Sequence, residues 1–132
     1  MADTDPKAIE RVSGPSWEAL RPAFLRVADV LLATGHNSGS QLTTIYVKFT
    51  VGQEPSSPVF AVAWLKSSKR LVIGFAMPDG FQSERLGSAP SGMSYKGLTH
   101  YLTIESGDEV PGVLLTWAKT AYENVSRQQP TD

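Results

Sequence analysis

Apolar residues recur at helical spacing early in the chain, where Phe24, Val27, Ala28, Leu31 and Leu32 form one stripe of "RPAFLRVADVLLATG". Pro22 has no N–H and cannot sit deep inside a regular helix. The pattern therefore predicts a short turn at Ser16 to Leu20, with Ser16 as its cap, and a helix starting near Pro22. Gly35 is a natural stop for that helix. The residues before Ser13 are polar and read as a frayed terminus.

The period then changes from 3.6 to 2. "HNSGSQ" reads as a loop by composition, and "LTTIYVKFTV" alternates, with Ile45, Val47, Phe49 and Val51 facing one way and Thr44, Tyr46, Lys48 and Thr50 the other. "VFAVAWL" (Val59 to Leu65) and "RLVIGFAM" (Arg70 to Met77), joined by "KSSK", read as a hairpin of central strands, apolar on both faces. "PDG" at Pro78 to Gly80 ends the run with turn chemistry. Phe81 to Gly97 is a long irregular segment, and "LTHYLTI" (Leu98 to Ile104) alternates as a fourth strand. Val110, Val113, Leu114, Trp117, Ala121 and Val125 then repeat with helical period. Ser106 and Glu109 have capping-box spacing, Asp108 is an alternative cap, and Pro111 falls within the first turn.

The order helix, three strands, long loop, strand, helix predicts an α+β two-layer sandwich: an antiparallel sheet of about four strands with the N- and C-terminal helices on one face. Residues 1–15 read as a flexible N-terminus, 16–126 as a single domain and 127–132 as a flexible C-terminus. At 132 residues the chain can bury a core without covalent staples.

Side-chain parity makes a further prediction. If Ile45, Val47 and Phe49 lie under the helices, their bulky partners are Phe60, Val62 and Trp64, then Leu71, Ile73 and Phe75, although the two-sided apolar pattern leaves the register of Trp64 open. The opposite face then receives Ala61, Ala63, Gly74 and Ala76. Tyr46, Lys48, Thr50, Thr99, Tyr101 and Thr103 stand around this floor of small residues, and Arg85, Tyr95 and Lys96 on the long loop can fold across it. Such a floor suits a bound ligand or a second subunit. The competing reading fills it with Phe81, Met93 and Leu98 from the loop.

Composition narrows the chemistry. The chain has no Cys, which excludes disulfides, thiolate zinc sites and cysteine nucleophiles, and its two His are far apart in sequence. No metal or cofactor is called for. The net charge of −1 gives the whole molecule no electrostatic preference for nucleic acid, so we expect none to bind. The middle is different: between Lys48 and His100 six basic residues face three acidic ones, a net of +3 that suits a small anion. No apolar run approaches the roughly 18 residues of a membrane span, and "MADTDPKAIE" is acidic where a secretory signal is basic, so a cytoplasmic, membrane-free protein is expected.

"GSAPSGMS" (Gly87 to Ser94) nearly spells a phosphate-binding loop, but Met93 stands where the Lys belongs, Pro90 lacks an N–H, and a strand follows instead of a helix. It reads as a connection. His100 alternates with Leu98 and Leu102 and so points toward the helices; Glu105 and Glu109 are its sequence neighbours. No paired carboxylates or triad spacing supply a catalytic set.

"THYLTI" (Thr99 to Ile104), the capped start "SGDEV" (Ser106 to Val110) and "WAKTAYENV" (Trp117 to Val125), together with Trp17, resemble small bacterial domains of unknown function. Among these is the domain at the C-terminus of predicted transport proteins; the MmcQ/YjbR-like proteins, with their frataxin-type arrangement, are more remotely similar. The resemblance spans roughly Trp17 to Val125 in element order. It implies a helix–sheet–helix sandwich and brings no activity or cofactor. Frataxin-like iron binding would need an acidic ridge on the first helix, where only Glu18 and Asp29 stand, so iron is not carried over.

The functional expectation is a non-enzymatic binding module using the open sheet face for a homodimer contact or a small anionic ligand, with Tyr46, Lys48, Thr50, Arg85, Tyr95, Lys96, His100 and Tyr101 as its residues. The alternatives are an enzyme or accessory domain handling a small anion through Lys48, Arg85, Lys96 and His100, or a weak nucleic-acid binder.

Overall fold

The computed structural model describes residues 5–35, 38–43, 45–52, 54, 56–67, 69–90, 93, 95–105 and 110–128. A five-stranded antiparallel sheet runs in sequence order: β1 (Ser38–Thr43), β2 (Tyr46–Val51), β3 (Val59–Ser67), β4 (Arg70–Phe75) and β5 (His100–Glu105). α1 (Pro6–Arg11), a 3₁₀ turn (Pro15–Trp17) and α2 (Arg21–Leu32) precede it, and α3 (Leu114–Gln128) follows. The main core lies between one sheet face and the helices. α2 presents Phe24, Val27, Ala28, Leu31 and Leu32 to it, the stripe expected from the sequence, and α3 presents Leu114, Trp117, Ala118, Ala121 and Val125.

The extra strand is β1, expected as loop up to Gln41. Its sequence is polar because it is an edge, pairing only with β2 (Ser40 with Phe49, Leu42 with Val47). The N-terminal segment covers its outer side. Asp5 Oδ1 accepts the Lys7 N–H at 2.9 Å as the cap of α1, while Oδ2 accepts the Leu42 N–H at 2.8 Å. A polar edge strand is tolerable when its free donors are engaged in this way. The residues expected to fray therefore carry a helix, with Ala8 and Val12 fully buried. Two arginines fasten it. Arg11 donates from Nε and Nη2 to the Leu65 carbonyl at 3.0 and 2.8 Å, and Arg21 donates to the carbonyls of Val12 and Gly14 at 2.6 and 2.8 Å.

The next helix boundaries also shift. Ser16 lies inside the 3₁₀ turn, which has no side-chain cap, and α2 starts at Arg21 with Pro22 in its first turn, as expected. α3 starts at Leu114, later than expected, after Pro111 and Gly112; the caps expected at Ser106, Asp108 and Glu109 lie outside the described residues.

The decisive departure is in β3. Phe49 pairs with Ala61, but Thr50 pairs with Val59, so Phe60 is an extra residue on its strand. Phe60 and Ala61 both join the helix-side core, and beyond this bulge the parity is opposite to expectation. Ala63 and Leu65 lie under the helices, whereas Val62 and Trp64 lie on the reverse face. Phe60 still meets α3, edge-to-face with Tyr122 at 5.3 Å, and Phe75 packs on Trp117 at 6.2 Å. β4 follows expectation, with Leu71, Ile73 and Phe75 beneath the helices. Ala76, assigned to the reverse face, belongs to the main core, and Ile45 sits in the β1–β2 turn against the reverse-face cluster.

Candidate functional site

The ladder registers put two rows of residues across the reverse face. One runs Gln41, Lys48, Val62, Gly74, Tyr101; the next runs Thr43, Tyr46, Trp64, Val72, Thr103. The expected floor of Ala61 and Ala63 is thus absent, replaced by a second apolar cluster of Val62, Trp64, Val72, Tyr101 and the loop residue Met93. Gly74 alone of the small residues lies there. A Cβ on it would stand 2.7 Å from Leu98 Cδ1 and from Tyr101 Cε2, so its missing side chain is the space those two fill.

The rings form a chain of contacts. Tyr46 meets Trp64 at 6.0 Å, Trp64 meets Tyr101 at 5.9 Å, and Tyr95 comes down from the loop edge-to-face on Tyr46 at 5.7 Å. The Tyr95 N–H donates to Tyr101 Oη at 3.2 Å. Trp64 and Tyr101 are buried, whereas Tyr46 and Tyr95 are half-buried at the rim. Burial, and then the neighbouring Tyr46 phenol, raises the Tyr95 pKa above its usual 10, so the hydroxyl stays neutral across the physiological range and can both donate and accept.

Of the eight expected site residues, Tyr46, Lys48, Tyr95 and Tyr101 share this face. Lys96 is exposed in the turn after Tyr95, where Gly97 takes φ +94°. Thr50 is occupied elsewhere: it is buried, and its hydroxyl donates to the Gly52 carbonyl at 2.5 Å. Arg85 and His100 lie away from this face, His100 on the helix side that its alternation with Leu102 implied. The loop passes round the β5 edge, where Gly87 exchanges hydrogen bonds with Tyr101 at 2.8 and 3.0 Å, and Arg85 lies on the helix side, 5.8 Å over the Trp117 ring. His100 has the same strand parity as Leu102 and Ile104, which face the helices. Its ring is held by Thr99 Oγ1 at 2.7 Å and the Phe81 carbonyl at 2.9 Å and stands edge-to-face on Phe81. The set Lys48, Arg85, Lys96 and His100 is therefore divided between the two sides of the sheet. That leaves the anion-processing enzyme without its assembled site.

The expected competitor, loop filling, accounts for much of this face. Met93 is 3% exposed within the cluster, and Leu98 lies over Gly74. Phe81 instead packs at the main core. The near-phosphate motif is a connection: Met93, at the position of the phosphate-loop Lys, is an apolar plug, although Ser91, Gly92 and Ser94 lie outside the described residues.

Sequence reasoning missed Val62 and Trp64 as the floor, because only the bulge in β3 decides their side; Val72 joins them by the β4 parity already expected. Among the described residues no cluster of three or more His, Asp or Glu could hold a metal, and no helix is long and apolar enough to cross a membrane. A separate groove of about 360 Å³ lies between the end of α2 and α3, lined by Ala33, Thr34, Gly35, Tyr122 and Glu123. Its charge is compensated, since Glu123 pairs with Arg127 at 3.5 Å.

No protein-family model, no curated protein and no solved structure matches the chain.

Proposed function

We propose that this chain is a cytoplasmic, non-enzymatic binding module for a small anion bearing a flat ring, taken at the rim of the reverse face. The observation that carries the reading is the half-buried pair Tyr46 and Tyr95, edge-to-face at 5.7 Å, with Lys48 two positions along β2 on the same face. A ring can stack where one Tyr edge already finds a partner, the two phenol hydroxyls can donate to a carboxylate or phosphate, and the ammonium supplies the counter-charge. Helices on one face of an antiparallel sheet also support, within the same proposal, kinship with the small MmcQ/YjbR-like domains.

Benzoate and phenyl phosphate are suitable probes. At ten times its Kd a ligand stabilises by about 1.4 kcal/mol, a melting rise of roughly 4–6 °C for a chain of this size. The rise is expected in the parent protein and absent in Lys48→Ala. No rise with either probe, or an equal rise in the variant, removes the reading. Light scattering alongside tests the self-association reading, which a mass that grows with concentration would favour instead.

A further inference from the structure

The groove of about 360 Å³ between the end of α2 and α3 has a chemistry of its own: the polar groups of its lining residues are chiefly acceptors. The Thr34 hydroxyl gives its proton to the Val30 carbonyl at 2.8 Å, so only its lone pairs remain to be used. Glu123 brings a carboxylate. α2 ends at Leu32 with Ala33 as its cap, so the negative end of its dipole lies at the groove. No basic residue stands in that last turn to balance it, and Asp29 adds a second negative charge there.

Tyr122 completes the set. A Cβ on Gly35 would lie 2.6 Å from both Cε atoms and closest to Cζ, so the Gly35 backbone covers the ring face at its hydroxyl end. Phe60 meets the same ring edge-to-face at 5.3 Å. The ring is therefore fixed and has little face left for stacking, whereas its hydroxyl makes no hydrogen bond among the described residues. A half-buried phenol held in this way is a preset hydrogen-bonding point.

We propose that this groove binds a free primary alkylamine in its ammonium form. Three N–H donors on one positive charge match the Glu123 carboxylate, the Thr34 and Tyr122 hydroxyl oxygens and the carbonyl end of α2. Ala33 and Gly35 leave room beside them for a short alkyl stem. Arg127, which compensates Glu123 at 3.5 Å, does not line this groove; with Ser126 it borders the adjoining hollow of about 330 Å³. Both members of that pair are exposed and one helical turn apart, so the guanidinium is a weak competitor for the carboxylate. The site is independent of the reverse face and takes a ligand of opposite charge.

Titration of the nitrogen-labelled protein with n-butylammonium chloride, followed by its amide resonances, tests this. Saturable shifts are expected at Thr34, Gly35 and Glu123, with a Kd of roughly 1–10 mM. Tetramethylammonium, of the same charge but without N–H donors, should give none. Glu123→Gln should weaken binding at least about fivefold. Tyr122→Phe, which keeps the ring contacts and removes the hydroxyl, should weaken it about threefold. Arg127→Ala should tighten it about twofold by removing the competing cation. Lys48→Ala should leave it unchanged, whatever that variant does to the rim of the reverse face. No saturable shift with n-butylammonium, equal saturation by tetramethylammonium, or an unchanged Kd in Glu123→Gln overturns the site. Nα-acetyl-lysine amide carries the same ammonium on a peptide unit; if it binds at least about fivefold more tightly than n-butylammonium, the assignment to a free amine is overturned in favour of a partner's lysine.

Discussion

Gly35→Ala isolates one contact whose sign can be reversed. Gly35 lies three residues beyond α2, against the ring of Tyr122 on α3. An alanine Cβ there would stand 2.6 Å from both Cε atoms of that ring, and closer still to Cζ. The ring cannot easily retreat, because its other contact is Phe60, fully buried at 5.3 Å. Overpacking of this kind costs about 1–3 kcal/mol. Gly35 is not among the glycines with positive φ, so its backbone admits alanine, and restricting the unfolded chain contributes about 0.4–1 kcal/mol in the other direction. The contact wins in the parent protein, and a net loss of about 1–2 kcal/mol is expected. With a urea m-value of about 1.5 kcal/mol/M, the unfolding midpoint falls by roughly 1 M. In a Tyr122→Ala background the steric part disappears and the entropic part remains, so the same substitution should stabilise by a few tenths of a kcal/mol. Tryptophan fluorescence follows both transitions, since Trp17 and Trp117 report the main core and Trp64 the second cluster. An equal loss in both backgrounds would show that the Tyr122 ring is not what opposes a side chain at residue 35.

Two further outcomes are expected. Asp5→Ala leaves α1 without its cap and the Leu42 N–H of the edge strand without its acceptor, at a combined loss of about 2 kcal/mol in urea unfolding, while Asp5→Asn should keep roughly half. A loss below about 0.5 kcal/mol in Asp5→Ala would mean that α1 does not depend on this carboxylate. The raised Tyr95 pKa means that the folded state holds the phenol proton more tightly than the unfolded chain. Its contribution is complete below the unfolded value of about 10 and declines as pH rises through the folded value. Tyr95→Phe should therefore flatten the alkaline fall in stability; the same alkaline slope in parent and variant would contradict the burial of this hydroxyl.

Much of the fold was legible because local periodicity carried it. The stripe of α2, the alternation of β2 and β5 and the β3–β4 hairpin follow from spacing alone. α1 had a signal too: Asp5 followed by Pro6 is an N-cap followed by a residue preset for the first helical turn. β1 had none, because an edge strand paired on one side and held on the other by Asp5, which takes the Leu42 N–H, needs no apolar alternation. The site was half legible. Tyr46, Lys48, Tyr95 and Tyr101 meet as expected, whereas the loop carries Arg85 to the helix side as it rounds the β5 edge and strand parity turns His100 to that same side.

Outside the polar edge strand β1 and the short α1, residue order by itself settles which stretches are helix and which are strand, since hydrogen-bond geometry repeats every 3.6 or 2 residues and apolar positions must follow it. It could not settle which face of β3 is which. "VFAVAWL" is apolar on both sides, so either parity buries it equally well within the strand. The choice came from packing across the sheet: one extra residue at Phe60 keeps that ring against Tyr122, turns Ala61 and Ala63 beneath the helices and sends Trp64 to the other side. Because strand parity has a period of two, a single inserted residue reverses every position after it, and only contacts distant in sequence decide where it falls.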